Sequence, residues 1–114
     1  MSDTANSVAS ENRDGYVLIR LSGEVDLSWS QQVRRAVLDA IENDAAVGVD
    51  LSDVSYIDSS GIAALVEGFQ NARTRGSRFA LVSVSHAVRA VLELARLDRV
   101  FLIVDTPDAV IATA

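Results

Sequence analysis

Four times along this chain a short run of β-branched and large apolar residues gives way to a segment whose apolar residues recur every three or four positions. Tyr16-Val17-Leu18-Ile19-Arg20-Leu21 opens the series, bounded by Asp14-Gly15 and Ser22-Gly23, and predicts a strand. Trp29, Val33, Val37, Ala40 and Ile41 then share one helical stripe to about Asn43, leaving Arg34, Arg35, Asp39 and Glu42 toward solvent. At its start Ser28-Trp29-Ser30-Gln31 reads as a capping box, with Ser28 offered to free N–H groups and Gln31 reaching back. Ala46 to Leu51 is an apolar run with no helical stripe, the pattern of a strand buried in a parallel sheet. Ile62, Leu65, Val66, Phe69 and Ala72 form a second stripe, predicting a helix from near Ser60 to Thr74 that stops at Gly76. Phe79 to Ser83 is the next strand, and Ser85 caps a third helix with Val88, Val91, Leu92 and Ala95 on its apolar face. Phe101 to Val104 is a last strand, and Thr106-Pro107 opens a short terminal helix. Strands alternating with helices in this way form βα crossover units. The expected fold is therefore α/β, with a mostly parallel sheet of four to five strands and about four helices.

At 114 residues the chain holds one core, so a single domain is expected over residues 15–114. Residues 1–14 are polar and small, an arm with at most one weak edge strand around Asn6 to Glu11. The longest purely apolar stretch, Val100 to Val104, is far short of the ~20 residues a bilayer span needs, and the N-terminus has no signal-peptide core. A cytoplasmic protein with no membrane insertion is expected.

Composition narrows the chemistry. There is no cysteine, and all ten basic residues are arginine, which removes thiolate metal sites, cysteine nucleophiles, Schiff bases and a phosphate-binding P-loop lysine. His86 is the one histidine, placed just after the Ser85 cap, and no Gly-x-Ser-x-Gly elbow accompanies it. No catalytic residue, metal or cofactor is expected. A net charge of -6 argues against direct nucleic-acid binding, whose affinity comes mainly from cationic side chains on phosphates. Glycines 61, 68 and 76 do not make a GxGxxG, and Arg73, Arg75 and Arg78 cluster where cations complement a helix C-terminus on a solvated face. Trp29 begins an apolar stripe, so it is expected in the core and not as a partner anchor.

The most unusual segment is Val54-Ser55-Tyr56-Ile57-Asp58-Ser59-Ser60-Gly61-Ile62, between the second strand signal and the helix stripe that follows it. Three small polar residues at a helix start admit two uses. One of them caps the helix, or a serine hydroxyl there is open to modification, since the free N–H groups and the dipole favour an anion.

Gly23-Glu24-Val25-Asp26, Val49-Asp50-Leu51-Ser52-x-Val54-x-Tyr56-Ile57-Asp58-Ser59-Ser60-Gly61-Ile62 and Ala87-Val88-Arg89-x-Val91-Leu92 together resemble the STAS family, nearest to its bacterial anti-sigma factor antagonists. The resemblance runs from about Tyr16 to the C-terminus and implies a first strand near Ser7 to Glu11. It implies a binding switch: the unmodified domain sequesters an anti-sigma factor that is itself a serine kinase, and so frees a sigma factor. That kinase phosphorylates the first serine, here Ser59, and a phosphatase restores it. Asp58 matches the acidic neighbour of the phosphoacceptor and Asp26 the acidic residue of a nearby loop. The implied docking patch is Asp26, Asp58, Ser59, Ser60, Gly61 and Ile62. Ala63 stands where glycine is frequent in the sporulation members. The family also includes STAS subunits of lipid-transporting ABC systems, which bind their partners constitutively; there Ser59 would be only a cap.

Overall fold

In the computed structural model, which describes residues 6–112, the chain runs β1 (Ser7–Arg13), β2 (Tyr16–Val25), α1 (Ser30–Asn43), β3 (Ala46–Ile57), α2 (Ser59–Arg75), β4 (Arg78–Val82), α3 (His86–Leu94), β5 (Leu102–Val104) and α4 (Ala109–Ala112). The strands lie side by side in sequence order, β2 to β5 parallel and β1 antiparallel at the edge. The α/β alternation therefore gives a mixed sheet, parallel in all but one pairing.

β1 is longer than its sequence suggested. Arg13 pairs with Tyr16, so Asp14-Gly15 is a two-residue hairpin loop, with Gly15 at φ +94°, where a side chain would be strained. The strand looked weak because it is an edge. Only Val8 of its residues packs against the core, and Glu11 instead meets Arg13 and Arg20 at 2.8 and 2.7 Å.

The two sheet faces are covered unequally. Val17, Ile19 and Leu21 of β2, Val47, Val49 and Leu51 of β3 and Leu81 of β4 meet the apolar stripes of α1, α2 and α3 in the main core. On the other face Leu18, Ala80, Val82 and Val104 are covered by Val110 of α4. The stripe along α1 faces the core as its spacing predicted, with Trp29, Val33, Val37 and Ile41 buried and Ala40 partly buried, each large side chain stabilising by about 1.5–3 kcal/mol.

Three local expectations are corrected. Ser28 does not cap α1: the helix starts at Ser30, and the Ser28 hydroxyl donates to the Asp26 carboxylate at 2.5 Å. A charged acceptor two residues upstream outcompetes the neutral Gln31 arrangement. Ala95 is exposed just past the end of α3, so the buried face of that helix is Val88 and Leu92. β3 does not end at Leu51 but continues to Ile57.

This extension has a clear cause. The five steps from Arg20 to Val25 on β2 are matched by seven steps from Asp50 to Ile57 on β3, with register shifts at two places. Leu51, Val54 and Ile57 are buried while the residues between them are exposed, a spacing of three that the period-two rule does not recognise. The first bulge is held by Asp50, whose buried Oδ1 accepts the Ser52 N–H at 2.9 Å and its hydroxyl at 2.7 Å. Past the end of β4, Ser85 takes over as the neighbour of β3. Its hydroxyl donates to the Val54 carbonyl at 2.7 Å and accepts the Val88 N–H at 3.2 Å, capping α3 as expected.

Candidate functional site

β2 and β3 end level with each other, because Val25 pairs with Ile57 and the Asp58 N–H donates to the Val25 carbonyl at 3.1 Å. Asp26 and Asp58 are thus the next residues on two neighbouring parallel strands. They stand together at the carboxyl edge of the sheet, where open α/β folds place their sites.

Both aspartates build the same turn. Asp26 Oδ1 accepts the N–H and the hydroxyl of Ser28 at 3.0 and 2.5 Å; Asp58 Oδ1 accepts those of Ser60 at 2.9 and 2.6 Å, and the Gly61 N–H at 3.2 Å. The residue between aspartate and serine is pushed outward in each case: Leu27 is 75% exposed, and Ser59 is exposed as the first residue of α2. The Asp58 N–H on the Val25 carbonyl ties the end of β2 to the head of α2. The Ser60 hydroxyl is the main cause holding Asp58 below the ordinary carboxylate range, with the Gly61, Ser60 and Leu27 N–H groups adding to it.

The two serines of the motif therefore differ. The Ser60 hydroxyl is engaged by Asp58, whereas nothing among the described residues hydrogen-bonds the hydroxyl of Ser59. Gly61 is buried against Val25 and Ile57, so it brings the helix close to the sheet and offers no surface of its own. Ile62 donates its N–H to the Asp58 carbonyl at 3.0 Å and is half-buried, packing partly on the main core. Ala63, one position on, is exposed.

His86 lies exposed at the start of α3, and no hydrogen bond links it to Ser59 or Ser60 among the described residues. No group of three or more histidine, cysteine or acidic residues among them could hold a metal ion, and none of their helices is long and apolar enough to cross a membrane.

Two features were missed from sequence. Leu27 is an apolar residue off the stripe that begins at Trp29, and that mismatch was the available signal for its exposure. Arg34, expected in solvent, is half-buried and holds Glu67 of α2 through two hydrogen bonds of 2.6 and 2.7 Å. Its guanidinium lowers the Glu67 carboxyl below its usual range. Nothing in the sequence pairs residues on two different helices.

The STAS domain matches residues 7–110 of this chain. An anti-sigma F factor antagonist of Paenibacillus polymyxa is 27% identical over 97 residues, 83% of each chain. An anti-sigma-B factor antagonist of Listeria monocytogenes is 28% identical over 94 residues, 81% of this chain and 82% of that one. In fold, the chain is similar to the Bacillus cell fate determinant SpoIIAA, at 24% identity in both of its forms. The TM-score is 0.77 for the unphosphorylated form, over 92% of this chain and 93% of that one, and 0.70 for the phosphorylated form, over 94% and 96%. With a strand-to-helix turn built from Asp58, Ser59 and Ser60 and a family match that takes in the whole sheet, the chain belongs to the STAS domain family.

Proposed function

We propose that this chain is an anti-sigma factor antagonist whose hold on its partner is set by phosphorylation of Ser59. The observation that carries the reading is the inequality of the two serines: Ser59 presents a free hydroxyl at the head of α2, while Asp58 occupies that of Ser60. Two relatives matching more than four-fifths of the chain bear the anti-sigma factor antagonist name, which supports the same reading.

The partner is an anti-sigma factor with serine-kinase activity, which the unmodified chain sequesters in the cytoplasm. In the modification the Ser59 oxygen attacks the γ-phosphorus of ATP held by the kinase. The new O–P bond forms as the bond to the bridging oxygen breaks; ADP leaves, and the hydroxyl proton passes to a base on the kinase. The helix start tolerates the phosphate, because its dipole favours negative charge. The interface does not tolerate it, because a docked partner would have to desolvate a charge of about -1.5 to -2 beside Asp58 and Asp26. A phosphatase resets the switch, and the chain itself catalyses nothing.

The test is incubation with the purified serine-kinase anti-sigma factor of the same organism and ATP, read by intact mass and fragment spectra. One phosphate on Ser59, absent from Ser59→Ala and retained in Ser60→Ala, is the expected result. Phosphate confined to Ser60 or Ser55 overturns the assignment. No phosphate at all favours the constitutive role of a lipid-transporter subunit, in which Ser59 only starts a helix.

A further inference from the structure

Leu27 is a leucine that the fold keeps out of the core at the edge where the candidate site lies. It is 75% exposed, yet its backbone is held in a turn: Asp26, just before it, accepts the N–H and the hydroxyl of Ser28, just after it. The same two turns present Leu27 and Ser59 at the ends of paired strands. Beside them a groove of about 240 Å³ runs between α1 and α2, lined by Leu27, Gln31, Arg34, Ser60, Ala63 and Glu67. A kinase that reaches the Ser59 hydroxyl must cover this edge, because the two turns follow paired strands, with Val25 opposite Ile57 and the Asp58 N–H on the Val25 carbonyl.

We infer that Leu27 is the apolar anchor of the interface, entering an apolar pocket on the serine kinase that docks over Ser59. The inference rests on the reading of Ser59 given above and adds the residue that supplies affinity. Large apolar side chains that become fully desolvated near the centre of an interface dominate its energy, and a side chain on a backbone already fixed loses little further freedom on docking. Ser59 is small and polar and cannot fill that role. Leu27 is a large apolar side chain on the neighbouring turn, lining the same groove as Ser60.

The test compares Leu27→Ala, Leu27→Met and Leu94→Ala, the last a control because Leu94 is 88% exposed on α3. Calorimetric titration with the purified serine-kinase anti-sigma factor of the same organism gives Kd, and steady-state phosphorylation of Ser59 gives KM and kcat. Leu27→Ala is expected to raise Kd and KM at least tenfold with kcat within twofold. Leu27→Met should restore most of the affinity, and Leu94→Ala should match the parent. If Leu27→Ala binds and is phosphorylated like the parent, the anchor is overturned while the Ser59 reading stands. Equal weakening by Leu94→Ala also overturns it, since the effect is then not local. If the parent chain is neither bound nor phosphorylated, the Ser59 reading falls and takes the anchor with it.

Discussion

A Cβ built on Gly61 would lie 2.7 Å from Ile57 Cγ1, so the first turn of α2 rests directly on the last residue of β3. Val25 Cγ1 would be 2.8 Å away on the other side. Gly61→Ala is therefore expected to destabilise the fold by about 1–2 kcal/mol, because overpacking of about 1–3 kcal/mol outweighs the roughly 1 kcal/mol that alanine gains in a helix. Urea melts of the variant check this, and a stabilised variant would show that the helix start has room to move.

Replacing Ser59 by aspartate mimics part of the phosphate charge at an exposed position. Affinity for the kinase should fall at least tenfold, about 1.4 kcal/mol, while the melting temperature stays close to that of the parent. Titration paired with thermal melts separates the two effects. A weaker complex explained wholly by a less stable fold would defeat the interfacial mechanism.

Acid should loosen the head of α2. The Asp58 carboxyl is held below its unfolded value of about 3.9, chiefly by the Ser60 hydroxyl, so its stabilisation is complete above that pH and is lost as pH falls through the lower folded value. Asp58→Asn removes this contribution to the acid limb. Because Glu67, held down by Arg34, and Glu11, held down by Arg13 and then Arg20, shift in the same direction, the limb becomes shallower and does not vanish. Melting temperature against pH, from neutral to about pH 3, measures the change.

The Arg34–Glu67 pair joins α1 to α2 with good geometry but partial exposure, 44% and 37% of the two side chains. Such a pair contributes about 0.2–1 kcal/mol. A double-mutant cycle with Arg34→Ala and Glu67→Ala should give a coupling in that range that shrinks in high salt.

Asp50 is nearly fully buried, with Ser52 on one carboxylate oxygen and Arg20 at 3.4 Å from the other. Asp50→Ala should cost about 1–3 kcal/mol, the range for leaving buried polar groups without partners. Hydrogen exchange should quicken from Ser52 to Ile57 before it does in Val47 or Val49, and uniform protection would show that Asp50 does not hold the bulge.

The sequence made most of this architecture legible because the core elements keep their periods. Val33, Val37 and Ile41 repeat every four, Gly76 at φ +72° ends α2, and Ser85 caps α3. It failed where a tertiary contact replaced the local rule. The spacing of Leu51, Val54 and Ile57 makes sense only with the β2 register in hand, and Ser28 resembles a cap until Asp26 is seen to hold its hydroxyl. At the site, the family resemblance supplied Asp26, Asp58 and Ser59, but which serine hydroxyl is free depends on the Asp58–Ser60 bond, and Leu27 emerged only from its exposure.

The bulged half of β3 also bears on which changes the gene can accept. Asp53 and Tyr56 are exposed, so their identities are open to wide substitution, whereas the number of residues from Ser52 to Tyr56 is not. Deleting one residue there would draw Ser59 back to the position of Asp58, and inserting one would carry the aspartate past the Val25 carbonyl that receives its N–H. Between Asp50 and Asp58 the chain behaves as a ruler: drift in spelling at the exposed Asp53 and Tyr56 is tolerated, and a single-codon indel disables the site even where the rest of the sheet still forms.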